Sequence, residues 1–511
     1  MNSLQQTSLQ RTSRRLRLLV VAASYGEKNI ESLKRIIRNY QSMEMEVAII
    51  VVSEAPKDLG SNVKVLVGLP SRNPWSLPFA HKRVFAENLD RYDLFVYTED
   101  DIEVTQRHLQ TFLRVTPELK SDEIAGFLRY EIDQFGTRSF PEAHGCYHWK
   151  ADSVAQRGPY TVAQFTNEHA GFYILNQAQL RRAINSGGFL QAPYEGQYGL
   201  PETAATDPYT RCGFRKVICL SLLEDFLIHH MSNAYAGRLG LPQSAFQDQI
   251  QALIEISAGL HPACSLGQSE SKLSRNRWSK SYYEKPSDEL LTTVPIESKR
   301  ILSVGSGFGD TELALQNRGA EVTALPLDSV IGAALAKRGI EVVFGSLDQC
   351  LQSLGSRTFD CVLISNLLHL FPEPRRILDR LQRFVRAEGT IVVAGPNFDF
   401  YKIIIKRLLR RGDLGRLGDF DRSGIRLCRP GASRNVLVGR GFSIEAVRWF
   451  NASSEHSRAS RNGATFGRWT APDWGMVARR RSPSPGRFES ENVSGKTPMT
   501  SDGPVPATTV E

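Results

Sequence analysis

The chain has 511 residues, of which 41% are hydrophobic and 23% charged, with a formal net charge of +9. That length exceeds one ordinary core at roughly 150 residues per domain, and the composition is that of a globular protein. No apolar run reaches the ~18 residues of a membrane span. The seven scattered cysteines make no CxxC pair, which argues against a disulfide framework or a zinc site and fits a reducing cytoplasm. No zinc-finger spacing or aromatic-interleaved basic motif is present, so no specific nucleic-acid partner is expected.

Residues 1–15 read as a flexible lead. "RRLRLLVVAASYGE" (14–27) has the basic start and apolar stretch of a signal peptide, but it also reads as a first strand, Leu18 to Ala23, followed by a turn. The strand reading suits the alternation of the next hundred residues. "NIESLKRIIRNYQS" reads as a helix, "EVAIIVVSE" and "KVLVGL" as strands, "AHKRVFAENLDRY" as a helix and "LFVYTED" as a strand. This alternation predicts a parallel-rich α/β sheet, whose ligands bind at the carboxyl ends of the strands. The last strand ends in Glu99, Asp100 and Asp101. Acids there form either a solvated turn or a site for Mg²⁺ or Mn²⁺, which prefer carboxylate and phosphate oxygens.

With these acids at a strand end, the segment 16–235 resembles the GT-A glycosyltransferases, which carry an acidic metal motif at that place. The resemblance implies a nucleotide-sugar donor and a Mn²⁺ or Mg²⁺ ion held by Asp101, with Glu99 on the metal or the donor ribose. His229 and His230 match the late histidine that often joins the metal. Ser24, Tyr25 and Glu27 at the first strand end, and Glu54 after the second, fall where the nucleotide would lie. Glu202 and Asp207 are candidates for the catalytic carboxylate that takes a proton from an acceptor hydroxyl. Trp149 and His169 either line the acceptor pocket or pack a loop.

Residues 236–280 read as a helical and polar linker, because "SLGQSESKLSRNRWSKS" is Ser-rich and polar. A second α/β unit is expected over 281–480. In it "ILSVGSGFGD" runs a strand into Gly305, Gly307 and Gly309, a turn that lets a ligand approach the backbone. With "FDCVLISNLLHLFPEPRRILDRLQRFVRAEGTIVVAGPN" downstream, residues 280–450 resemble the class I S-adenosylmethionine-dependent methyltransferases. The resemblance implies S-adenosyl-L-methionine at the three glycines. Ser303, Pro326 and Ser346 stand where that family usually has acids, with Asp328 and Asp348 nearby to compensate. His369 is a candidate catalytic base or a packed histidine, and Gly424 stands where a histidine is usual. "YKIIIKRLLRR" reads as a basic amphipathic helix, either an ordinary lid or a contact for an anionic membrane. Residues 481–511, rich in Pro, Ser and Gly, are expected to be disordered.

The expected fold class is α/β: two α/β domains, a GT-A-like nucleotide-sugar-binding one and a Rossmann-like methyltransferase one, with a disordered C-terminal tail. The expected function is a bifunctional transferase of glycan or polysaccharide assembly, with sugar transfer in the first domain and methylation of a hydroxyl in the second. Two alternatives stand beside it: a methyltransferase whose first domain only binds the acceptor, and a glycosyltransferase with a degenerate methyltransferase fold. The acceptor would be a glycan or lipid-linked glycan, and the location cytoplasmic, at the inner face of the membrane where the basic helix meets lipid.

Overall fold

A computed structural model describes residues 15–409, 412–450 and 468–482. The expectations for residues 1–14, for Arg410 and Arg411 of the basic helix, and for nearly all of the 481–511 tail lie outside the described residues.

The apolar run 17–24 forms β1 (Arg17–Ser24), buried along almost its whole length. It is followed by α1 (Ile30–Gln41), β2 (Glu46–Ser53), β3 (Val63–Val67), α2 (Ala80–Glu87) and β4 (Leu94–Glu99). β1 pairs in parallel with β2 on one side and β4 on the other. Then come β5 (Ile102–Glu103), α3 (Gln106–Val115), β6 (Glu123–Ala125), β7 (Leu128–Ile132), β8 (Arg138–Phe140), β9 (Trp149–Arg157) and β10 (Tyr160–Phe165). β11 (Phe172–Asn176) runs antiparallel beside β4 and completes the first sheet, in the order β11-β4-β1-β2-β3. The chain order reverses between β1 and β4, and such a switch point opens a crevice at the carboxyl ends of the strands. α4 (Gln177–Asn185), α5 (Leu200–Thr210), β12 (Arg215–Cys219), β13 (Leu227–His230), β14 (Leu241–Pro242) and α6 (Gln243–Ser257) finish this half.

The second half holds α7 (Asp288–Leu291), β15 (Arg300–Ser306), α8 (Asp310–Gln316), β16 (Glu321–Pro326), α9 (Ser329–Lys337), β17 (Glu341–Val342) and α10 (Leu347–Leu354). β18 (Phe359–Ser365), α11 (Pro374–Leu381), β19 (Val385–Pro396), α12 (Tyr401–Leu408), α13 (Phe420–Ser423), α14 (Pro430–Val438), β20 (Phe442–Phe450) and β21 (Asp473–Arg480) complete it. Its sheet has the order β17-β16-β15-β18-β19-β21-β20. The first five strands are parallel and doubly wound in the Rossmann manner, with an antiparallel pair at the edge. Each half has its own apolar core, and a third cluster joins them: Leu253 and Ile256 of α6 pack with Val330 and Ala333 of α9.

The Ser-rich segment is not an exposed linker. Leu266, Leu273, Asn276, Lys280 and Tyr282 are all buried. Its polar composition misled because its serines spend their hydroxyls and amides on one another: Ser271 N–H donates to Ser279 Oγ at 2.8 Å, and Ser271 Oγ to the Arg277 carbonyl at 2.6 Å.

Candidate functional site

A cavity of about 1020 Å³ opens at the carboxyl ends of β1 and β4. Its floor carries Glu99, Asp100 and Asp101, and its walls include Arg129, His169, Glu202 and His230. β4 supplies Glu99 as its final residue, and the turn to β5 presents Asp100 and Asp101. β13 pairs antiparallel with β5, which sets His230 opposite Ile102 and beside Asp101.

The acids are held in distinct ways. Asp101 Oδ2 lies 3.1 Å from His230 Nε2, whose Nδ1 lies 2.6 Å from Glu131 Oε1. Burial disfavours the imidazolium, but the two carboxylates outweigh it and raise His230 to about 9. Burial pushes Asp101 up, and the His230 hydrogen bond more than offsets this, leaving it below the usual carboxylate range. Glu99 shows the same balance with His169, 3.4 Å away. Asp100 has only Asn29 Nδ2, at 2.8 Å, and a bond to Ser24 against its burial and two acidic neighbours, so it rises to about 6. Gly171 is required beside this floor. Its φ is +59°, and a Cβ there would stand 2.8 Å from Glu99 Oε2.

Several sequence expectations need correction. His229 faces the other side of β13, as strand alternation demands. It stacks on Tyr130 and bonds Asn233 at 3.0 Å, away from Asp101. Asp207 does not line the cavity; it is fully buried in α5, paired with Lys82 and accepting from Tyr194. A carboxylate so engaged is no proton acceptor for a substrate. Glu202, five residues earlier in α5 and so on another face of the helix, does line the cavity, and its Oε2 is buried with no hydrogen-bond partner. Glu54 accepts from Gly26 N–H at 2.9 Å and shapes the turn after β1. Trp149 is core, packed on Phe165 and Phe246.

The sequence reading missed Asn29, Arg129, Glu131 and Tyr198. Arg129 Nε donates to Glu142 at 2.5 Å and its guanidinium reaches His169. An arginine inside the strand "GFLRYE" was the available signal. At the rim, Tyr25 and Trp75 remain 56% and 67% exposed, two bare rings facing the opening.

Among the described residues no group of three or more His, Cys, Asp or Glu side chains is arranged to hold a metal. The donor set still suits a hard cation, because Mg²⁺ and Mn²⁺ are commonly held by one or two carboxylates, with substrate phosphate and water completing the shell. Asp101 and Glu99 are the side chains that could hold one; His230, raised to about 9 and bonded through both ring nitrogens to Glu131 and Asp101, keeps its proton and is not the metal ligand expected from the sequence.

At the second switch point, between β15 and β18, the glycine turn is closed. A Cβ on Gly305 would meet Leu367 at 2.6 Å, and one on Gly307 would meet the Tyr282 carbonyl oxygen at 2.3 Å. Asp328 is buried and caps α9 through Val330 and Ile331 N–H, at 2.8 and 2.9 Å. Ser303 Oγ donates to Glu312 at 2.6 Å. Ser346 caps α10, while Asp348 is solvent-exposed and paired with Arg380. His369 is buried, donates to the Trp278 carbonyl at 2.7 Å and is pushed down to about 4 by burial, so it is a packed histidine and not a base. As folded, these residues do not fit S-adenosylmethionine: chain fills the space beside the glycines, Asp328 Oδ1 is taken by its own helix, and Oδ2, though unpartnered, is buried.

Residues 287–420 match the family model "Methionine biosynthesis protein MetW". No curated protein matches. Solved structures similar to the chain include a SAM-dependent methyltransferase from Archaeoglobus fulgidus (16% identity, 36% of this chain and 87% of that one, TM-score 0.28). Another, from Mesorhizobium loti, is 18% identical over 38% of this chain and 96% of its own, TM-score 0.28. A third, a possible histamine N-methyltransferase from Thermotoga maritima, is 14% identical over 38% and 87%, TM-score 0.28. The match over 287–420 falls on this doubly wound, Rossmann-like sheet of the C-terminal domain.

Proposed function

We propose that the chain is a transferase whose reaction takes place in the acid-lined cavity of the first domain, on a sugar activated as a nucleoside diphosphate. The observation that carries this reading is the meeting of unlike groups at one switch point: Glu99, Asp100 and Asp101 beneath Arg129, with Tyr25 and Trp75 at the rim. Exposed rings suit a nucleobase or sugar face, and the guanidinium suits a phosphate. A divalent cation bound at Asp101 would neutralise charge on the departing diphosphate. Glu202 would accept the proton of an acceptor hydroxyl, a reading supported by its Oε2, which has no hydrogen-bond partner. His230 and Glu131 orient Asp101, and His169 and Arg129 orient Glu99.

The acceptor on this reading is a glycan or lipid-linked glycan. Methyl transfer by the second domain is a second reading, favoured by the MetW match and the strand order. It requires the cleft beside Gly307 to open.

Calorimetric titration with UDP-, GDP- and dTDP-sugars, with Mn²⁺, with Mg²⁺ and with EDTA, tests the proposal. One nucleotide class is expected to bind only with a cation, and Asp101→Ala to weaken it at least about tenfold. Failure of every nucleoside diphosphate to bind in the presence of Mn²⁺ and Mg²⁺ would overturn it.

A further inference from the structure

We infer that the cofactor cleft of the methyltransferase-type domain is filled by the chain's own residues 264–283, and that the domain serves to hold this segment as a wall of the acid-lined cavity rather than to bind S-adenosylmethionine. The inference does not rest on what that cavity transfers.

One face of the segment is stitched across the carboxyl ends of the second sheet. Leu266 N–H donates to the Leu327 carbonyl at 2.9 Å, and Leu266 in turn accepts from Leu347 N–H at 3.0 Å. Ser329 N–H donates to the Cys264 carbonyl at 3.0 Å. The Tyr282 carbonyl accepts from Phe308 N–H at 2.6 Å, inside the glycine turn itself. The small residues that elsewhere let a ligand approach a backbone here let the chain approach its own. The contacts are apolar as well: Leu266 and Tyr282 belong to the same buried cluster as Leu302, Val304 and Leu327.

The other face of the segment belongs to the first half. Tyr282 N–H donates to the Gly145 carbonyl at 2.6 Å, and Arg275 N–H to the Gln197 carbonyl at 2.9 Å. Arg275, Asn276, Ser279 and Ser281 line the cavity that holds the acids. A ligand entering beside Gly307 would therefore have to strip Tyr282 from both domains and unmake the cavity wall. Little in the cleft rewards that exchange: Asp328 Oδ1 is committed to its helix and Ser303 to Glu312, which leaves only Asp328 Oδ2, buried without a hydrogen-bond partner, to meet a ribose hydroxyl.

Two measurements on the full chain test this. Titration with S-adenosylmethionine and with S-adenosylhomocysteine, to about 1 mM, is expected to give no saturable heat. Hydrogen exchange is expected to show the amides of Leu266, Lys280 and Tyr282 protected alongside those of β15, at least roughly 100-fold slower than in an open loop. One-to-one binding of either compound overturns the inference, whether or not any nucleotide sugar binds. So does exchange of residues 264–283 at the rate of an open loop. Absence of nucleotide binding with both of these results intact would sink only the sugar-transfer reading.

Discussion

The ring of Tyr282 lies flat on that of His148, with centroids 4.1 Å apart and planes inclined by 5°. One ring comes from the segment that crosses the second, doubly wound sheet, the other from the approach to β9 of the first half. Tyr282 is buried here, and the α6–α9 contact adds a second apolar junction between the halves. The halves are thus joined through buried contacts and should unfold together. Tyr282→Ala removes a fully buried aromatic side chain and is expected to cost about 3–5 kcal/mol. Denaturant titration monitored at tryptophans in both halves should give a single transition, moved to lower denaturant in the variant. Two separate transitions in the parent chain would contradict this coupling.

Alternation and polarity made the first sheet readable, because β1 and β4 are short apolar runs buried in a parallel sheet, while β2 is buried in part and β3 lies half-exposed at its edge. Glu99, Asp101 and His230 were legible as residues of the cavity, because polar residues that end strands emerge at its wall; their role toward a cation is a separate matter. His229 and Asp207 were not. His229 differs from His230 only in which way the pleat points, and spacing alone does not phase β13 against β5. Asp207 sits near Glu202 in sequence, but its burial depends on Lys82, 125 residues away. Tyr282 was invisible because a tyrosine in a Ser- and Lys-rich stretch gives no periodic signal.

Glu202 and Asp207 separate a chemical role from a structural one. Glu202→Gln keeps size and loses the base, so kcat for sugar transfer is expected to fall about 10²–10⁴-fold with donor affinity unchanged. Asp207→Asn leaves Lys82 buried beside a neutral partner, at a cost of about 3–5 kcal/mol. Its signature is a lowered melting temperature, with the surviving folded fraction still able to bind nucleotide. Equal stability loss in both variants would remove Glu202 from the proposed chemistry.

α12 exposes Ile405 and Leu408 next to Lys402, Lys406 and Arg407, and Ile403 is its buried anchor. No helix among the described residues is long and apolar enough to cross a membrane. If the acceptor is lipid-linked as proposed, this exposed apolar and basic face is suited to an anionic membrane surface. Sedimentation with vesicles containing anionic lipid is expected to carry the protein down at low salt and to release it as salt rises. Leu408→Glu should abolish the association without altering the melting temperature, because that side chain is exposed. Binding that survives the substitution would place the contact elsewhere.

Buried histidines contribute to the acid response, and burial pushes His81 well down, as it does three others. His108, His148 and His369 are each pushed down to about 4 by burial, from an ordinary value of 6.5. The folded chain therefore binds fewer protons than the unfolded chain between those values. Their contribution is complete above pH 6.5, declines as the pH falls through that window, and levels off below about 4. A shift of this size corresponds to about 3 kcal/mol for a single site. His369 is the cleanest probe, because its ring bonds the Trp278 carbonyl and packs on Phe398, and it does not line the acid-lined cavity. His369→Gln can keep the bond to that carbonyl while removing the titration. Stability measured by denaturant between pH 7 and 4 should therefore fall less steeply in the variant, even where its stability at pH 7 is lower. Parallel curves for the two proteins would mean that His369 charges as freely in the folded state as in the unfolded one, and that burial is not what holds it neutral.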